Sequence, residues 1–77
     1  MPFDIEKILR EEYSMLNSNE SRLCCLLFFE VSNKNIAKIL PYKQRSIRAT
    51  LYKLKQKIGI DDMKDMYRKI IVNIAST

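Results

Sequence analysis

The sequence predicts an all-α fold, a small helical bundle. Its apolar side chains recur three and four positions apart in several segments, which is the spacing that places them on one face of a helix. The 77 residues include one Gly and two Pro, too few turn formers for the many reversals of an all-β domain. Hydrophobic residues make up 47% of the chain and charged residues 30%, so a folded domain is expected rather than a disordered segment.

The N-terminal segment, residues 3–15, predicts an amphipathic helix of about three turns. We divide the chain into this helix (residues 1–15) and a second unit (residues 16–77). The sequence leaves three roles open for the helix: a brace packed on the domain, a dimer element, or the tail of a removed upstream domain. The apolar positions of its stripe are Ile5, Ile8, Leu9, Tyr13 and Leu16.

A second helix is predicted after a break rich in capping residues, positions 16–19. Asn17 and Glu20 have the spacing of a capping box, in which each side chain accepts a hydrogen bond from the other residue's amide. Residues 23–29 are apolar on nearly every side, so this helix must be covered on more than one face. They include Cys24 and Cys25, which we expect to be buried thiols in a reducing cytoplasm.

Residues 32–58 have the pattern of a helix-turn-helix. Ser32 is the predicted N-cap of a short helix that ends before Pro41, because proline lacks an amide donor and disfavours helical geometry in the preceding residue. After a turn of about three residues, a long helix is predicted over residues 44–58, with Gly59 as its C-cap. Its narrow apolar stripe consists of Ile47, Leu51, Leu54 and Ile58.

A last helix is predicted to begin at Asp61 and Asp62, which suit both its N-cap and its dipole. Its six-residue apolar stripe is expected to face the core, and a stripe of six apolar residues can also serve as a dimer seam. The stripe consists of Met63, Met66, Tyr67, Ile70, Ile71 and Ile74. The dimer-interface candidates are Met63, Met66, Tyr67 and Ile70.

Basic charge is concentrated in residues 31–60, called here the basic segment. Eight of the 14 basic side chains lie in it and it contains no Asp or Glu, so the other residues hold six basic and nine acidic groups. Charge of one sign over such a segment attracts a phosphate backbone, an anionic lipid surface or an acidic protein. The remaining alternative is a solvated surface whose charge is simply uneven.

The long predicted helix has the composition of a helix that reads the major groove. The groove admits one α-helix, and its base edges match the hydrogen-bonding groups of Arg and Gln. Phosphate contacts supply most of the affinity, a role that suits Lys34, Lys38, Lys53 and Lys57. Lys43 opposes the dipole at the start of the helix unless a DNA phosphate offsets it. The candidates for base contact are Gln44, Arg45, Arg48, Ala49 and Tyr52.

Three motifs also match a known family in order and spacing. Residues 16–23 are similar to an L-T-x-x-E opening, residues 32–40 to S-N-K-E-I-A-x-x-L, and residues 46–60 to T-V-R…I…K-L-G-V. Over residues 16–71 the chain therefore resembles the LuxR/GerE-type helix-turn-helix domain, in a Bacteroidetes-like variant. The resemblance implies a four-helix core whose third helix enters the major groove and whose last helix often dimerises.

The resemblance also assigns roles to individual residues. It implies that Glu20 braces the domain and that two sets of residues meet DNA. The implied phosphate contacts are Asn33, Lys34, Ser46 and Lys57, and the implied base contacts are Arg48, Ala49 and Tyr52.

Three positions depart from the family pattern. Asn35 stands where the family has Glu, so the capping box with Ser32 loses its return bond. Glu30 stands where Gly or Asn turns the chain, which predicts a small backbone strain. The turn at residues 41–43 lacks the usual Ser, so the long helix is expected to start without a side-chain cap.

We therefore expect a DNA-binding transcription regulator, or its output domain, associated with the nucleoid in the bacterial cytoplasm. It is not expected to be an enzyme or to need a cofactor or metal, and its predicted partners are double-stranded DNA and a second copy in a homodimer. The alternative is a protein-interaction module of the same fold that binds RNA polymerase or another regulator, including a role like sigma region four. Membrane binding is not expected, since the apolar stripe of the basic helix is narrow.

Overall fold

The computed structural model describes residues 4–76, and all the regular secondary structure within that range is helical. The predicted all-α fold class is therefore confirmed. The chain forms α1 (Ile5–Glu12), α2 (Ser18–Phe28), α3 (Asn33–Ile39), a 3-10 turn (Gln44–Ser46), α4 (Ile47–Ile58) and α5 (Met63–Ala75).

The predicted capping box starts α2. The Asn17 side chain accepts a hydrogen bond from the Glu20 amide at 2.8 Å, and the Glu20 carboxylate accepts one from the Asn17 amide at 2.9 Å. Two of the amide donors that a helix start leaves without partners are thereby satisfied. The sequence signal was sufficient here because both partners lie within one turn.

Three further predicted helix caps are confirmed. The Ser32 hydroxyl caps α3 and the Asp62 carboxylate caps α5, each accepting a backbone hydrogen bond in the first turn of its helix. Gly59 ends α4 with φ +77°, a left-handed conformation that costs glycine little. Glu30 takes φ +60° between α2 and α3, so the strained turn expected there is present.

Two predicted boundaries are corrected. The first helix was expected over residues 3–15, but α1 ends at Glu12, and Phe3 lies outside the described residues. Tyr13 leaves the helical region at φ −130° and ψ 76°, and the chain turns so that Leu16 is also buried. The helix expected from residue 44 begins with a 3-10 turn, and α-helical geometry starts only at Ile47.

The buried apolar side chains form two clusters. The larger, called here the α1–α5 core, draws residues from α1, α2, α4 and α5 and the turn after α1. The smaller, called here the helix-turn-helix core, lies among α2, α3 and α4. The α1–α5 core contains Ile5, Leu9, Tyr13, Leu16, Cys24, Leu54, Met66 and Ile70, and the helix-turn-helix core contains Leu23, Ile36, Leu40 and Ile47.

The helix α1 shares its core with the rest of the chain. Ile5 and Leu9 are buried in the α1–α5 core, and the Asn73 amide of α5 donates a hydrogen bond to the Glu12 carboxylate at 2.8 Å. Of the three roles left open by the sequence, these contacts support that of a packed brace.

Candidate nucleic-acid interface

The orientation of α4 separates an apolar edge from a cationic face. Ile47 and Leu54 are buried and Leu51 is half-buried, whereas Arg48 is exposed and Tyr52 is 61% exposed. This is the orientation that the apolar stripe predicted. It comes from the spacing of the stripe, because positions 47, 51 and 54 return to one side of an α-helix. The Arg48 and Tyr52 side chains, which the sequence predicts to contact bases, are therefore accessible from solvent.

The structure brings five of the predicted site residues together at the start of α4. They surround an open depression with a volume of about 500 Å³, between the first residue of α3 and the first turns leading into α4. We call it the cationic depression. Its lining residues are Asn33, Lys43, Gln44, Arg45 and Arg48.

The other predicted contact residues do not line this depression. Lys34, Lys53, Ala49 and Tyr52 are exposed on α3 and α4, and Ser46 is half-buried at the junction of the 3-10 turn with α4. The predicted contacts thus divide into a concave group at the start of α4 and a convex group along it.

The start of α4 has no side-chain cap. Neither Lys43, before the 3-10 turn, nor Ser46, before α4, accepts a hydrogen bond from the following amides through its side chain. This confirms the missing cap that was expected because the turn at residues 41–43 lacks the Ser of the family pattern. The Ser46 carbonyl instead accepts a hydrogen bond from the Thr50 hydroxyl at 2.9 Å, within the helix itself.

Tyr52 has a partner on its own helix. The Gln56 amide donates a hydrogen bond to the Tyr52 hydroxyl at 3.1 Å, four residues apart on the exposed face. Gln56 was not among the predicted site residues, although the i, i+4 spacing of two polar side chains could have identified it. The bond fixes where the phenol lies along α4 and leaves its own proton for an acceptor.

Lys57 is engaged within the protein. Its Nζ lies 2.7 Å from the Glu20 Oε1, so the C-terminal turn of α4 is tied to the first turn of α2. Burial alone would raise the pKa of the Glu20 carboxyl, but the Asn17 amide and the Lys57 ammonium outweigh it and hold that pKa below its ordinary value. Glu20 thus braces two helices.

The rest of the basic segment carries uncompensated charge. The ion pairs among residues 4–76 join Arg10 and Arg22 to Glu6, Lys57 to Glu20, and Arg68 to Asp65. Within that range, Lys57 is thus the only cation of the basic segment in an ion pair. The remaining seven leave a positive field on the α3–α4 side of the molecule.

The dimer-interface prediction is corrected for two of its four residues. Met66 and Ile70 are 0% and 1% exposed because they fill the α1–α5 core of their own chain. Met63 and Tyr67 are half-buried against the same core, and the Tyr67 ring meets the Phe28 ring edge-on at 5.7 Å between centroids. The large apolar side chains that α5 exposes are Ile71 and Val72, so Ile71, which the sequence placed on the core-facing stripe, lies outside the core.

The two cysteines are free thiols. Cys24 is buried in the α1–α5 core, as expected, and burial raises its pKa to about 12. Burial also raises the pKa of the half-buried Cys25 thiol. Both therefore stay protonated near neutral pH, and a protonated thiol is a poor nucleophile.

No family model matches the chain, and neither the curated proteins nor the solved structures searched give a match. The resemblance to the LuxR/GerE-type domain accordingly stays a prediction from motifs. Over the described residues, none of the helices combines the length and the apolar character needed to cross a membrane.

Proposed function

We propose that this protein is a sequence-specific DNA-binding transcription regulator of the bacterial cytoplasm, which inserts α4 into the major groove of double-stranded DNA. The observation that carries the proposal is the split of α4 into a buried apolar edge and an exposed cationic face, on the side of the molecule where seven cations have no acidic partner among residues 4–76.

The exposed face of α4 fits the chemistry of base edges. An Arg side chain donates two parallel hydrogen bonds to guanine, and Gln donates to and accepts from adenine. Arg48 is exposed one residue into α4, and Ala49 beside it is small enough to let the helix approach the bases. Phosphate contacts from Lys34, Lys43 and Lys53 would set the register of the helix on the duplex.

The test is selection of bound duplexes from a random pool at moderate salt. Enriched half-sites about 34 Å apart would indicate a homodimer that reads successive major grooves. The duplex affinity should fall steeply with salt, with a log–log slope of about −4 if four to five phosphates are neutralised. An unenriched pool, beside a stable complex with RNA polymerase or another regulator, would favour the protein-interaction alternative.

A matched pair of variants separates base reading from charge. Arg48 and Lys53 are both exposed on α4 and neither is in an ion pair of the described residues. Arg48→Ala should reduce discrimination between selected and random duplex by about tenfold or more, whereas Lys53→Ala should weaken both duplexes alike. Equal losses on both duplexes for both variants would contradict base reading by Arg48.

A further inference from the structure

We infer that the cationic depression at the start of α4 holds one phosphodiester group of the nucleic-acid backbone. This inference rests on the proposed function and specifies it, because it adds an anchoring site beside the base-reading face, with Arg48 at the border of the two. It also moves Gln44 and Arg45, which the sequence placed among the base contacts, to the phosphate.

The first support is shape. The depression is a shallow opening of about 500 Å³, lined from two segments of the chain, the first residue of α3 and the turn that leads into α4, whereas the exposed face of α4 beyond it is a convex helix surface. A base edge in the major groove is met by a protruding side chain. A tetrahedral phosphate is held best where donors approach it from several directions, and a concave site supplies them.

The second support is charge. Three of the five lining residues, Lys43, Arg45 and Arg48, are cations, none of the five is acidic, and none is in an ion pair of the described residues. Like charges around one depression repel one another, and a bound anion removes that repulsion. Lys57 does not carry such unpaired charge, because its ammonium forms an ion pair with the Glu20 carboxylate.

The third support is the set of donors. A guanidinium presents its N–H groups in a planar fork that matches two phosphate oxygens, and the amides of Asn33 and Gln44 add neutral donors at the same rim. The depression is open to solvent, so the occupant stays mostly in water. That favours a phosphate within an extended polymer, held by further contacts on either side, over a free anion.

In the first part of the test, inorganic phosphate is titrated into the full chain, and the backbone amide signals are monitored in NMR spectra. Shifts should be confined to residues around the depression. They should disappear in Arg45→Gln and persist in Lys64→Gln, which removes an exposed cation of α5 outside the depression. Shifts spread evenly over the basic segment, or equal losses in both variants, would overturn the inference.

The second part uses a selected duplex in which single phosphates are replaced, one at a time, by neutral methylphosphonates. Replacement at one position per bound copy should weaken duplex binding by the wild-type protein by about tenfold. The same replacement should have little further effect on duplex binding by Arg45→Gln. Similar costs at every position, or an undiminished cost in Arg45→Gln, would overturn the phosphate site while leaving DNA binding intact. If the wild-type protein retains no duplex even at low salt, the proposed function itself fails.

Discussion

The two cores of this molecule have different surroundings. The α1–α5 core is the larger, and the surface around it carries both signs of charge, with ion pairs from Glu6 to Arg10 and Arg22 and from Asp65 to Arg68. The helix-turn-helix core is built around four buried side chains and lies under a surface of cations that, apart from Lys57, have no acidic partner within the described part of the chain. Burial of apolar surface is thus concentrated away from the face proposed to meet DNA.

This arrangement explains how a chain this short can carry uncompensated positive charge and still fold. Mutual repulsion of the cations opposes folding, and a domain of this size has little stability to lose. The core contributed by α1 and α5 offsets that cost by burying side chains such as Leu9 and Ile70. The two cores should therefore respond differently to substitution.

The largest effect is expected from Leu9→Ala in α1. Leu9 is fully buried in the α1–α5 core, so its truncation should lower the free energy of unfolding by about 2–5 kcal/mol in urea titrations. Glu11→Ala, an exposed change on the same helix, should cost less than about 0.5 kcal/mol.

If the two regions have separate tasks, the Leu9→Ala variant should keep its duplex affinity once the result is corrected for the folded fraction. A loss of affinity in the fully folded variant would show that α1 also shapes the nucleic-acid face.

A smaller gain in stability is expected from Glu30→Gly, next to the helix-turn-helix core. Glu30 is exposed and adopts φ +60°, which glycine tolerates without the steric cost of a β-carbon. Glycine loses more backbone entropy on folding than Glu does, and this loss offsets part of the gain. The free energy of unfolding should therefore rise by about 0.5–1 kcal/mol.

The control is Glu11→Gly within α1, which should lower stability by about 1 kcal/mol because its backbone is helical. If both variants lose stability, the Glu30 carboxylate must stabilise the folded state by more than its positive φ destabilises it.

The smallest effect is expected from the Glu20–Lys57 pair that links α2 and α4. Because the pKa of Glu20 is lower in the folded chain than in the unfolded one, its contribution is complete above the unfolded pKa and is lost as the pH falls through the folded pKa. The pair is partly exposed, so Lys57→Met should cost about 0.2–1 kcal/mol at neutral pH and low salt.

At a pH below the folded pKa of Glu20, the difference between Lys57→Met and the wild type should vanish in urea titrations. A cost that persists there would assign the effect to the packing of the Lys57 side chain instead of its charge.

The features that the sequence predicted correctly are those decided over short stretches of chain. The capping box of Asn17 and Glu20, the glycine at the end of α4 and the cap of Asp62 each depend on residues within a few positions. The buried edge of α4 followed from periodicity alone. For the same reason the sequence located the basic segment, since charge is a property of composition.

The features that the sequence missed depend on tertiary structure. The ion pair between Glu20 and Lys57 joins residues 37 positions apart, and no local pattern brings them together. Met66 and Ile70 had the spacing of a dimer seam, but the same spacing serves a core, and α1 and α4 supply the covering side chains. The cationic depression combines Asn33 with residues 43–48 and exists only once α3 is packed against the turn.

The neighbouring residues Leu23 and Cys24 in the middle of α2 have one further consequence. Both are fully buried, yet Leu23 belongs to one cluster and Cys24 to the other. Helix α2 therefore lies between the two clusters and buries a side chain in each. Helix α4 does the same through Ile47 and Leu54. A substitution in the α1–α5 core can therefore shift the backbone behind Arg45 and Arg48 only by way of α2 or α4, the two helices that contribute buried side chains to both clusters.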